Sequence, residues 1–102
     1  MTTDASPSKK PLRDLTEIRT ELDKLDAELF ALFSRRQNLS HEVYAYKKSR
    51  GLPIKDHIRE QAKLDSFSQS DDEQLSRYGA RLMRCLMDLS CEEQERIAGF
   101  EL

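Results

Sequence analysis

"LTEIRTELDKLDAELFALFSRRQNLSHEVYAYK", residues 15–47, decides the fold. Leu15, Ile18, Leu22, Leu25, Leu29, Leu32, Arg36, Leu39, Val43 and Tyr46 follow one another at spacings that alternate three and four. That rhythm keeps one stripe of a helix on one side, with coiled-coil-like packing. Pro11 suits a first helical turn, and Gly51 followed by Pro53 makes a strong stop. The spacing therefore predicts one helix of about 40 residues, about 60 Å long at 1.5 Å per residue. A helix that long in a small protein needs a partner to cover it. Arg36 is the only charged residue on the stripe, and an unpaired guanidinium in an apolar seam costs several kcal/mol.

Downstream, a shorter helix is expected from Ile54 to Phe67, with "SFSQSDD" as the break after it. Ser70 and Glu73 read as an S-x-x-E capping box opening a third helix. That helix carries Leu75, Tyr78, Leu82, Leu86, Leu89 and Ile97 on one side and ends near Gly99. The expected fold is all-α: one long, one short and one medium helix per chain, in an intertwined homodimeric bundle. The polar opening "MTTDASPSKKP" predicts a disordered arm over residues 1–10, leaving 11–102 as one helical domain.

Composition agrees. Of 102 residues, 35% are charged and 37% hydrophobic, a lean core that favours apolar faces shared with a second chain. Trp is absent, with three Gly and three Pro, which disfavours a hairpin-rich β fold. A net charge of −2 without a long basic run gives no support for nucleic-acid binding. No apolar run approaches membrane-spanning length and the start has no signal-like core, so a soluble cytoplasmic protein is expected. Cys85 and Cys91 are separated by about 9 Å of helical rise and face different ways, so no mutual disulfide is expected.

The polar residues that interrupt the stripes carry the functional signal. Lys47 follows Arg36 by three turns, within about 20° of the same face. Arg19 precedes Arg36 by about 25 Å and points some 100° (about a quarter turn) away. Asp56, Arg59 and Glu60 stand at i, i+3 and i+4 on the second helix. Leu82, Leu86, Ser90 and Gln94 form an i+4 row whose apolar side turns polar. Each has a plainer reading: a cation reaching solvent, a self-paired charge cluster, a frayed helix end. Together they form a set of cations, carboxylates and neutral hydrogen-bonders suited to binding a small dianion and stabilising charge that develops in it. His41 and His57 lack metal-ligand spacing, and no catalytic triad or glycine-rich phosphate loop is present. Arg19 and Arg36 are too far apart on one rigid helix to grip one small molecule. If both serve one site, Arg19 must come from a second chain.

The ordered series "IR" at 18–19, "LDKLDAEL" at 22–29, "SRR" at 34–36, "YK" at 46–47, "GLPIKDHIREQ" at 51–61 and "SCEEQ" at 90–94 resembles the all-helical chorismate mutases, over about residues 12 to 98. The resemblance implies an intertwined homodimer and the Claisen rearrangement of chorismate to prephenate, toward phenylalanine and tyrosine, with no cofactor, metal or covalent intermediate. It implies that Arg36, with Arg19 of the partner subunit, binds carboxylate, and that Lys47 and Gln94 hydrogen-bond the ether oxygen. It further implies that Glu60 and the backbone around Asp56 hold the ring hydroxyl, while Arg59 and Ser90 complete the polar lining and help bind a carboxylate. Arg36, Lys47, Glu60 and Gln94 are the catalytic set so implied. In "VYAYK", Tyr44 and Tyr46 replace the small residues usual before the lysine, and are expected at the dimer interface or narrowing the pocket. The break between the second and third helices is also short. Three rivals remain: an isochorismate pyruvate-lyase on the same fold, against which Glu60 argues; a weakly active mutase needing a shikimate-pathway enzyme as partner; and a non-catalytic dimerisation module.

Overall fold

In the computed structural model, which describes residues 11–67 and 69–100, three helices follow in order: α1 over Leu15–Arg50, α2 over His57–Ser66 and α3 over Glu73–Gly99. No strand occurs among the described residues. The expected arm at residues 1–10 lies outside them. Two compact units divide the chain, one ending at Phe33 and the other beginning at Ser34.

The first unit contains the N-terminal part of α1. The helix starts at Leu15, four residues later than Pro11 suggested, because Asp14 caps it: its Oδ2 accepts from Thr16 N at 3.1 Å, and its carbonyl from Ile18 N at 3.1 Å. Arg13 pairs with Glu21 across the first turns, and Thr20 Oγ1 donates back to Thr16 O at 2.9 Å. Leu15, Leu22, Leu25, Leu29 and Leu32 are all exposed within the chain.

In the second unit the C-terminal part of α1, α2 and α3 enclose a small interior. α1 ends as the sequence predicts. Gly51 takes φ 67°, a conformation that disfavours a Cβ, and Leu52 N bonds Lys47 O at 2.8 Å while Gly51 N bonds Lys48 O at 3.2 Å. α2 begins at His57 rather than Ile54, since Asp56 stands outside it as N-cap and accepts from Arg59 N at 3.0 Å. α3 is capped by Asp72, which accepts from Leu75 N at 3.0 Å. The Ser70–Glu73 box therefore does not form. Ser70 Oγ instead accepts from Asp72 N at 3.1 Å, bracing the cap from two residues upstream. Phe67 packs on Gly79, where an added Cβ would meet its ring at 3.4 Å.

What this unit buries is unusual. Met87 is the single buried apolar residue among those described, whereas Ser40, Glu60 and Gln94 are buried and polar. Burial without hydrogen bonds would cost each of them, so a helical unit that places three at its centre is built around a polar site.

Candidate active site

Hydrogen bonds from successive turns of α1 fix α3 beside it. Arg36 Nη1 donates to Leu86 O at 3.0 Å, Gln37 Nε2 to Leu89 O at 3.2 Å, the Ser40 and Ser90 hydroxyls meet at 2.6 Å, and His41 Nε2 lies 2.5 Å from Glu93 Oε2. These contacts set the register that brings the polar interruptions of two distant segments together. The Arg36 guanidinium is held by a main-chain carbonyl, with Met83 Sδ at 3.9 Å, and pairs with no carboxylate among the described residues.

Beside this seam opens a cleft of about 320 Å³, within the range of small-molecule sites. Arg36, Lys47, Asp56, Arg59, Glu60, Ser90 and Gln94 all line it. Arg19 lies in the first unit and is not among the lining residues. Reasoning from the sequence missed Ser40, Lys63 and Cys91, which also line the cleft. It missed Lys55 and Arg84 as well, which engage Glu60. Tyr46 faces a neighbouring depression with Leu39, Glu42, Val43 and Leu52, and Arg50 stacks 4.9 Å over its ring. It therefore does not narrow the cleft.

The charges in the cleft are unbalanced in a useful way. Arg36, Lys47, Arg59 and Lys63 face Asp56 and Glu60, four cations against two carboxylates. Both carboxylates are already engaged. Asp56 caps α2, and Glu60 accepts from Arg84 Nη1 at 3.0 Å with Lys55 Nζ at 3.6 Å from its other oxygen. Burial alone would push the Glu60 carboxyl up. The Arg84 hydrogen bond and the positive charges of Lys55, Arg84 and His57 outweigh it and hold the group below the usual carboxylate range. Glu60 is thus a fixed anion, able to accept a hydrogen bond and poorly suited to supply a proton. Lys47 Nζ is anchored on Ile54 O at 2.5 Å, using one of its three donors.

Gln94, 3% exposed, donates from Nε2 to Ser90 Oγ at 3.2 Å, while its Oε1 finds no partner among the described residues. Cys91 is no nucleophile: burial, then the nearby Glu60 charge, pushes its thiol up, and its Sγ lies 3.9 Å from Glu60 Oε2 as a neutral donor. No three His, Cys, Asp or Glu side chains gather as a metal site among the described residues. The arrangement offers fixed cations, one anionic acceptor and neutral donors. It is equipped to hold an anion and shape it.

The chain matches the family model for chorismate mutase type II over residues 18–95, a span that runs from Ile18 through every lining residue named above. Neither the curated proteins nor the solved structures gave a match. The match covers 78 of the 102 residues, and the chain belongs to that family, with the isomerase activity the family implies.

Proposed function

We propose that this member of the chorismate mutase type II family converts chorismate to prephenate in the cleft of the second unit. The observation that carries the reading is the excess of cations over free carboxylates around a space of about 320 Å³. Chorismate is a dianion with a ring hydroxyl and an ether whose oxygen gains negative charge as its C–O bond breaks. Arg36 takes a carboxylate bidentately. Lys47 and Gln94 reach the ether oxygen, where removing one preorganised donor costs about 3–4 kcal/mol in other enzymes. Glu60, kept ionised by Arg84 and Lys55, accepts from the ring hydroxyl, with the backbone at Asp56 beside it. Arg59 and Ser90 complete the lining. Holding the diacid in its reactive chair-like shape is catalysis by positioning, and the rearrangement needs no group to take or give a proton.

Arg19 of the partner subunit joins Arg36 and Arg59 at the substrate's two carboxylates. Support comes from the first unit, whose exposed Leu15, Leu22, Leu25, Leu29 and Leu32 form a stripe that a second copy of α1 would cover. A helix this exposed gains little stability by itself. The reading therefore includes a homodimer with two equivalent sites, acting in the cytoplasm in phenylalanine and tyrosine biosynthesis. No described helix is long and apolar enough to cross a membrane.

The test follows loss of chorismate absorbance with purified protein beside Arg36→Ala. Conversion to prephenate that the substitution abolishes supports the assignment. A flat trace from folded wild-type protein would sink the reading of a self-sufficient mutase.

A further inference from the structure

Ser40 stands one residue off the apolar stripe of α1, is 4% exposed, and belongs to a chain of three hydrogen bonds that ends on Gln94. The contacts are Ser40 Oγ to Arg36 O at 3.2 Å, Ser40 Oγ to Ser90 Oγ at 2.6 Å, and Ser90 Oγ to Gln94 Nε2 at 3.2 Å. Each contact needs one proton, and the main-chain carbonyl of Arg36 can only accept. Ser40 must then give its single proton to Arg36 O. The 2.6 Å contact between the hydroxyls is left for the proton of Ser90. Ser90, having donated, can only accept from residue 94. The side-chain amide of Gln94 is thereby forced to turn its nitrogen, and not its oxygen, toward the cleft-lining hydroxyl of Ser90.

We propose that Ser40 is a positioning residue that fixes the amide orientation of Gln94 through Ser90, so that Gln94 presents a donor to the substrate. The proposal rests on the functional reading above only for its last clause. With one proton of Nε2 on Ser90, the second proton of the same nitrogen is the one left for an oxygen gaining negative charge. A turned amide would offer lone pairs there instead. Without the Ser40 oxygen, Ser90 is released and can donate to Gln94 Oε1, a buried acceptor with no partner among the described residues. The turned amide then becomes competitive.

The relay begins at the carbonyl of Arg36, so the same helical turn of α1 carries the carboxylate-binding guanidinium and sets the distant amide.

The experiment compares wild type, Ser40→Ala and Ser40→Thr, each checked for helical content. The side-chain amide proton signals and exchange of Gln94 are read by NMR, beside kcat and KM for chorismate. Wild type is expected to show protected, well-separated amide protons. In Ser40→Ala their exchange should quicken, and kcat should fall about tenfold with KM little changed, because the lost contact matters in the transition state. Ser40→Thr, which keeps the hydroxyl, should restore both. Unchanged amide signals or an unchanged kcat in folded Ser40→Ala overturn the proposal. Should that variant fail to fold, rapidly exchanging amide protons in wild type overturn it by themselves. Wild type without mutase activity would sink the enzyme reading, leaving the relay to be judged on the amide signals.

Discussion

Replacing Arg84 with Gln tests what keeps a carboxylate charged inside the second unit. The Glu60 side chain is 9% exposed and bonds Arg84 at 3.0 Å, whereas Arg84 is itself 42% exposed. A hydrogen bond to a charged group contributes about 1.5–3 kcal/mol, and solvent around the guanidinium moves this pair toward the low end. Lys55, 3.6 Å from Glu60 Oε2, remains to compensate in part. The expected loss at neutral pH is therefore about 1–2 kcal/mol, or about 5–15 °C in Tm for a domain of this size. Its pH dependence identifies the cause. The Glu60 pKa is depressed on folding, so its contribution is present above the unfolded value near 4.5 and is lost as pH falls through the folded value. Arg84→Gln removes a lowering influence while burial still pushes the group up. The gap between variant and wild type should then be widest near neutrality and close in acid, where Glu60 is protonated in both. Denaturant melts at a fixed protein concentration, from pH 7 downward, read this directly. A Glu60→Gln background should shrink the effect of Arg84→Gln to about 0.5 kcal/mol or less. A gap that stays constant into acid, or survives in that background, would refute the charge argument and assign Arg84 to packing.

Glu93 has a pKa lowered to about 2, by the hydrogen bonds from Arg96 and then from His41. Since the folded pKa lies below the unfolded one, this stability is present above pH 4.5 and drains away toward pH 2. Glu93→Gln should therefore flatten the acid-denaturation curve in that window, as followed by circular dichroism. Asp72→Ala should cost about 1 kcal/mol as the loss of a helix cap, and Ser70→Ala less than half of that, in chemical denaturation at constant m-value. The reverse order would restore Ser70 as the cap. Arg19→Ala and Arg36→Ala, each inactive alone, should give partial activity after subunit exchange, because a heterodimer has one site with both lesions and one with neither. Verified heterodimers without recovered activity would rule out a shared site.

The three-four alternation from Leu15 to Tyr46 announces α1, and Gly51 with Pro53 announces its end, because helix periodicity and left-handed turn geometry are local properties that a single chain segment expresses by itself. The same pattern exposes Arg36 and Lys47. A cation on an apolar stripe is costly enough to stand out, and the i+4 row of α3 marks Ser90 and Gln94 in the same way. The helix starts were less legible. Asp14 and Asp72 each stand near other residues able to cap, and which side chain turns toward the first free amides depends on local geometry that residue type alone leaves open. Asp56 has no such rival, but its spacing to Arg59 and Glu60 also fits a place on the helix face. Ser40 and Arg84 carried no signal at all. A serine inside a helix and an arginine on a charged face both have ordinary solvated readings. Their partners lie far along the chain, with Ser40 and Ser90 fifty residues apart and Arg84 and Glu60 twenty-four apart. By itself the sequence determined where helices run and which polar residues are too costly to bury without purpose. Only the tertiary structure decided which of them meet, because a hydrogen bond between distant segments depends on the register of two packed helices, and residue type and spacing along one segment do not fix that register.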